Sequence, residues 1–236
     1  MKLKYVLMFL LFSTPVSAEV SFTFDDGYST ILDNGFPVLD QFHYKGTVYI
    51  ITGVVGSDPD YMNWGDIDIL HKHGWVIGSH SKTHRDFSKL PMDQVKKELT
   101  DSAHDLTWHG LPADHFAPPF GEFSNLQLKE IRKIYKSNRM AWFNNKVGLN
   151  DGRFLDSSRI QTVPLNENTN IQFVKRLIYK AARENVWVVF MIHRVLPMHS
   201  NTQWQISRTK LKEIVEYTAN QHATVVTVDQ YLQYHQ

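Results

Sequence analysis

Residues 186–192 read VWVVFMI, an apolar run with no charge and no turn residue in it. A strand with one wet face alternates polar and apolar positions. One without alternation must be covered on both faces, as in a parallel sheet flanked by helices. Shorter β-rich runs occur at 20–24, 47–52, 75–77 and 223–228. Helical patterns lie between them. They cover 64–73 with Gly74 as a stop, 93–108 with Asp93 as cap, 125–136 behind Ser124, and 207–221 with Leu211, Ile214, Val215 and Thr218 on one face. Strand and helix in alternation predict an α/β fold with a mostly parallel sheet, closed or partly closed. In such barrels the chemistry sits at the C-terminal ends of the strands. The polar segments 144–157 and 194–205 fit no element and read equally as functional loops or as surface insertions.

Four short motifs fall at those expected strand ends. Thr23-Phe24-Asp25-Asp26-Gly27 closes the first strand with two carboxylates, of which one can bind a cation while the other stays free as a base; Asp-Asp-Gly is also a common turn. Gly78-Ser79-His80-Ser81-Lys82-Thr83-His84 follows the third run, and its two His, four apart, share one side of a helical turn. With one Asp they make a two-His, one-carboxylate set, although a chain with 12 His often has such a pair by chance. Phe116-Ala117-Pro118-Pro119-Phe120-Gly121 is neither strand nor helix because of its prolines; it is a rigid turn or a stiff wall beside a reacting group. His193 directly follows the 186–192 run, as a rim residue or as a satisfied structural His.

The first eighteen residues differ from the rest. Lys2 and Lys4 precede the apolar run 5–12, and Val16-Ser17-Ala18 is a small-residue cleavage site, so 1–18 reads as a secretory signal peptide and 19–236 as one domain. The location expected is secreted or periplasmic, with no membrane span after cleavage. Loss of the two Lys takes 25 basic and 24 acidic side chains to one excess acid, which gives no electrostatic case for nucleic acid. With no Cys, any metal must be held by His and carboxylate. Oligomeric state is not legible.

In their order along the chain these motifs resemble the polysaccharide deacetylase family, the carbohydrate esterases with a NodB-like domain. TFDDG, HSKTH, PPFG and MIH match its successive motifs, and YMNWGDIDILHKHGWVIGSH and EFSNLQLKEI are similar to its connecting segments. The resemblance covers roughly 20–230 and implies a distorted (β/α) barrel with seven strands. It implies a divalent metal on Asp26, His80 and His84, with Zn²⁺ first and Co²⁺, Ni²⁺ or Fe²⁺ as other candidates. It implies Asp25 as general base, His193 as general acid, backbone N–H groups near Phe120 at the oxyanion, and an N-acetylated glycan as substrate. Pro119, Phe120, Gly121, Trp142 and Tyr28 are the expected substrate contacts. His-Arg-Val at 193–195 is similar to the branch acting on poly-N-acetylglucosamine; chitin oligomers and peptidoglycan are the other polymers. Two departures stand out. Ala117 occupies the position where the family usually has Arg, and only Asp151 and Asp156 lie near the family's Asp-rich fourth motif. Another cation can take that part. Arg159, at the start of the 159–163 run, is the first candidate and reads equally as a surface residue; Arg153 and Arg194 follow. The alternatives are an O-acetyl esterase on xylan-like glycans and a non-catalytic carbohydrate-binding relative.

Overall fold

The computed structural model describes residues 18–141, 148–199 and 204–235. The 1–18 leader, apart from Ala18, lies outside them, as does Trp142. The central strand is β1 (Glu19–Phe24). β2 (Thr47–Ile50), β3 (Val76–Ser79), β4 (His115–Phe116) and β5 (Ser137–Asn138) follow on one side, each parallel to the last. Two short strands, β6 (Leu149–Asn150) and β7 (Val163–Pro164), border β8 (Trp187–Ile192), β6 antiparallel and β7 parallel. β8 runs beside β1 from Glu19↔Trp187 to Phe24↔Ile192. Ile160 pairs with Arg139 and Val163 with Phe190, so segment 160–164 links the β5 end of the curled sheet to β8. β1 to β5, β7 and β8 are the seven parallel strands expected of a distorted barrel.

Alternation assigns the two layers. Val188, Phe190 and Ile192 with Val20, Phe22 and Phe24 pack outward under the helices, in the larger core cluster. Each such side chain, fully buried, contributes about 1.5–3 kcal/mol. Trp187 and Val189 point inward with Ile160, Val228 and Tyr231. Ser21, Thr23 and then Asp25 share the inward face of β1. Ser21 and Thr23 donate to the carbonyls of Val226 and Phe190 at 2.6 and 2.7 Å, as buried hydroxyls must.

Helices cover the outside: α1 (Phe36–Asp40), α2 (Trp64–Lys72), α3 (Met92–Trp108), α4 (Asn125–Ile134), α5 (Ile171–Glu184) and α6 (Arg208–Asn220), while α7 (Val228–His235) packs on the inward layer through Val228, Tyr231 and Leu232. Asn63 caps α2, Ser124 caps α4 and Ser207 caps α6 through their side chains. Asp93 is not a cap. It sits in the first turn of α3, which begins after Pro91. The 223–228 run is a strand only at β11 (Thr224–Val225), paired with β1. Thr227 and Gln230 then form a reciprocal cap that starts α7, overriding the β-branched sequence. α5 lies in a segment with no expected element. Asn170 caps it, and Val174, Leu177, Ile178 and Ala181 bury one face at helical spacing. The 194–205 segment holds β9 (Arg194–Leu196), which pairs in parallel with β10 (Gln205–Ser207).

Candidate metal centre and cleft

Asp25 lies one residue beyond β1, yet its N–H still bonds the Ile192 carbonyl at 2.8 Å, so its side chain keeps the inward direction of Thr23. Asp26 leaves that ladder. Its φ is 71° and that of Gly27 is 80°, a left-handed turn that costs a non-glycine residue about 1–2 kcal/mol. Adjacent carboxylates therefore face one cleft along different directions.

Segment 80–84 is not helical. Ser81 and His84 take φ of 68° and 57°, and this irregular loop, not a helical turn, brings the two imidazoles together with ring centroids 4.8 Å apart. His80 Nδ1–H donates to the Ala117 carbonyl at 2.7 Å, which leaves Nε2 with its lone pair free, the usual arrangement behind a metal-binding His. His80 Nε2 lies 3.5 Å and His84 Nε2 3.4 Å from Asp26 Oδ1. One ligand atom from each of the three residues falls within a 4.8 Å group.

These residues fit a divalent ion. Ligand atoms about 2.1 Å from a tetrahedral Zn²⁺ stand about 3.4 Å apart. Asp26 Oδ1 is buried with no hydrogen-bond partner among the described residues, although buried carboxylates are ordinarily paired. Burial, helped by the charge of Asp25, pushes the Asp26 carboxyl up to about 6, against the pull of His193 and Tyr28. Burial lowers His80 to about 3 and also lowers His84. Both imidazoles are thus neutral, as ligands must be.

Asp25 is held differently. Burial would raise its pKa, but the charge and hydrogen bond of the Arg139 guanidinium hold it below the ordinary carboxylate range. Arg139 Nη2 donates to Asp25 Oδ1 at 2.6 Å. Arg139 is 1% exposed, and its guanidinium carbon lies 4.8 Å from the centre of the Tyr49 ring. The other carboxylate oxygen, Oδ2, is 4.0 Å from His80 Nε2. Arg159 does not take this part. Its Nη2 binds Asn125 Oδ1 at 2.8 Å and its guanidinium lies over Phe123, because the tight turn Ser157–Arg159 faces α4 and not the barrel axis. Arg153 pairs with Asp151, and Arg194 with Asp60. Asp156 pairs with Arg132. Sequence reasoning missed Arg139, although a buried position one residue past a short strand obeys the same strand-end rule as Asp25 and His193.

A cleft of about 320 Å³ opens on these groups, lined also by Tyr28, Pro118, Phe120, Ala141, Met191, His193 and Arg194. Phe120, 55% exposed, reaches it through a left-handed turn. Pro119 and Gly121 are buried behind, so Pro118 supplies the wall expected of them. The Arg194 guanidinium lies 3.9 Å from the Tyr28 ring centre. His193 faces Trp204 at 5.3 Å, and its Nδ1 is buried with no hydrogen-bond partner among the described residues. Among the described residues no carboxylate hydrogen-bonds that nitrogen.

Residues 13–137 match a family model described as polysaccharide deacetylase; Arg139 and His193 lie beyond that match. Over 125 residues the chain is 29% identical to the peptidoglycan-N-acetylglucosamine deacetylase of Bacillus cereus, covering 50% of this chain and 42% of that protein. It is 27% identical over 132 residues to the poly-beta-1,6-N-acetyl-D-glucosamine N-deacetylase of Staphylococcus epidermidis, covering 49% and 45%. The match thus spans less than half the length of either curated relative. Among solved structures, the Xyl-CE4 domain of a multidomain xylanase from the hindgut metagenome of Trinervitermes trinervoides superposes with a TM-score of 0.64. Identity there is 20%, with 92% of this chain and 91% of that one covered. At that identity the likeness concerns the fold.

Proposed function

Because the chain belongs to the polysaccharide deacetylase family, we propose that it is a metal-dependent hydrolase that removes N-acetyl groups from a polysaccharide containing N-acetylglucosamine and releases acetate. The observation that carries this reading is the donor set Asp26, His80 and His84 beside a second carboxylate, Asp25, clamped by Arg139. Two imidazoles and one carboxylate suit Zn²⁺ first, with Co²⁺, Ni²⁺ or Fe²⁺ as alternatives. Bound there, such an ion supplies Lewis acidity that activates water and polarises the acetyl carbonyl. Asp25 Oδ2, left free by the Arg139 contact, accepts the proton of the attacking water. A low pKa makes Asp25 a weaker base but keeps it ionised, and Arg139 keeps it aimed. His193, on the far wall, protonates the departing amine as the C–N bond breaks. Phe120 and Tyr28 offer ring faces to the sugar.

The names of the two curated relatives favour a peptidoglycan or poly-N-acetylglucosamine substrate, and a chitin-like oligomer carries the same acetamide. Action on such polymers fits the leader-like 1–18 segment, a domain over 19–236 and a secreted or periplasmic location. No helix among the described residues is long and apolar enough to cross a membrane. An O-acetyl esterase on xylan-like glycans would use the same groups, since an ester needs less help at the leaving atom than an amide. A non-catalytic relative is disfavoured by Asp26 Oδ1, which is buried and has no hydrogen-bond partner among the described residues. Acetate release from soluble chito-oligomers, with and without chelator and Zn²⁺ re-addition, tests the reading. Release should stop with chelator and return with Zn²⁺. Release from acetylated xylan alone would move the assignment to the esterase, and none from either substrate would sink it.

A further inference from the structure

The loop that carries both imidazoles has no strand or helix to hold it, and it passes twice through the left-handed region. Such backbone persists only where its surroundings over-determine it. Every N–H from His80 to His84 has a partner. His80 bonds the Ile50 carbonyl at 2.8 Å, Ser81 bonds Ser79 Oγ at 3.1 Å, and His84 bonds Ser81 Oγ at 3.0 Å. The two in the middle, Lys82 and Thr83, share a single acceptor, Glu98 Oε2, at 3.0 and 2.8 Å. The other oxygen, Oε1, accepts from Thr83 Oγ1 at 2.5 Å. Glu98 is 7% exposed, in the middle of α3. A buried carboxylate is costly unless hydrogen-bonded, and here each of those bonds comes from the loop.

We propose that Glu98 is a positioning residue for the metal centre: its carboxylate templates the 80–84 loop so that His80 and His84 converge on Asp26, and its negative charge favours a cation there. This rests on the metal reading given above. The surroundings agree with a built clamp. Further along α3, Asp105 Oδ2 holds Lys82 Nζ at 2.7 Å and Thr52 Oγ1 at 2.6 Å. Gly53 N–H donates to the Lys82 carbonyl at 2.8 Å, where a Cβ on Gly53 would stand 2.4 Å from that oxygen.

The test measures Zn²⁺ affinity by competition with a chromophoric chelator, together with amide hydrogen exchange of the metal-free protein, for the wild type, Glu98→Gln and Glu98→Ala. Glu98→Ala should weaken Zn²⁺ binding by about 10- to 100-fold, as loss of a partner behind a metal ligand does. It should speed exchange of the Lys82 and Thr83 amides while β1 and β8 stay protected. Glu98→Gln keeps an acceptor oxygen without the charge and should fall between; it also serves if the Ala variant does not fold. A structural role alone would lower thermal stability and leave Zn²⁺ affinity untouched. Wild-type affinity in a folded variant, or unchanged exchange at Lys82 and Thr83, overturns the proposal. A wild-type chain that takes up no Zn²⁺ would remove the metal reading itself, and the role of Glu98 with it.

Discussion

A buried His faces an Asp at each end of the barrel, and the two ends treat the pair in opposite ways. At the N-terminal end His115 is saturated: Nδ1 meets Ser137 Oγ at 2.9 Å and Nε2 meets Asp229 Oδ1 at 3.2 Å. The three residues are those of a nucleophilic triad, but Ser137 is 1% exposed and no substrate reaches its hydroxyl. At the C-terminal end His80 satisfies only Nδ1, and its Nε2 points at an Asp26 oxygen with no hydrogen-bond partner among the described residues. The same residue types pin a helix to a sheet where every valence is used. They form a candidate metal site where one is left open on both sides.

The sharpest break between the two ends is His80→Ala. It should lower Zn²⁺ affinity by more than about 100-fold, exceeding the loss of a mere partner of a ligand, and abolish acetate release while circular dichroism stays native. Zn²⁺ bound with wild-type affinity would erase the distinction drawn above. Arg139→Met should come next. Zn²⁺ stays, turnover drops about 10-fold or more because the base loses its orienting cation, and the acid limb of kcat/KM moves to higher pH. The sign follows from Asp25: burial pushes its carboxyl up and Arg139 opposes this, so removing the cation raises the pKa. Arg159→Ala is the control and should change neither quantity. An unmoved acid limb in Arg139→Met would mean another group holds Asp25.

His115→Ala should have the smallest effect on function. Zn²⁺ affinity and turnover stay, and urea denaturation records a loss of about 1–3 kcal/mol for the partners left unpaired. The pH dependence is a finer check. Hydrogen bonding from His115 outweighs burial and holds Asp229 below the ordinary carboxylate range. That stabilisation is present above the unfolded carboxyl pKa and is lost as pH falls through the folded one. The variant should lose less stability than the wild type on acidification. A His115→Ala variant with impaired Zn²⁺ uptake would show that the two ends are coupled.

Much of the site was legible because its residues sit next to one another along the chain. Asp25-Asp26 and His80 to His84 are short patterns at the ends of apolar runs, and the strand-end rule was enough to place them. The continuous 186–192 run disclosed a two-sided sheet for the same reason. Arg139 was not legible. It reaches Asp25 across 114 residues of chain, and Ser-Asn-Arg-Met has no local feature to separate it from a surface Arg. The choice of Arg159 failed because position near a strand boundary does not say which way a tight turn faces. α5 was missed although its apolar face has a helical period, since the polar 166–170 segment before it draws the reading toward loop. The i, i+4 spacing in HSKTH pointed to the two His that the loop brings together, but through a helical turn that is not there.

By itself the sequence determined which atoms are available and in what order. It set imidazoles and carboxylates with no thiolate to compete, an unbroken apolar run that must lie in a sheet covered on both faces, and motifs that the sheet delivers to one end. Local periodicity and capping chemistry are enough for that, because they act over a few residues. Only the tertiary structure decided which cation clamps Asp25, which buried His keeps an open nitrogen, and which carboxylate shapes the His loop. Those choices depend on burial and on hydrogen-bond saturation, and both are set by groups far apart in the chain: Arg139 against Asp25, Ala117 against His80, Glu98 against Lys82 and Thr83.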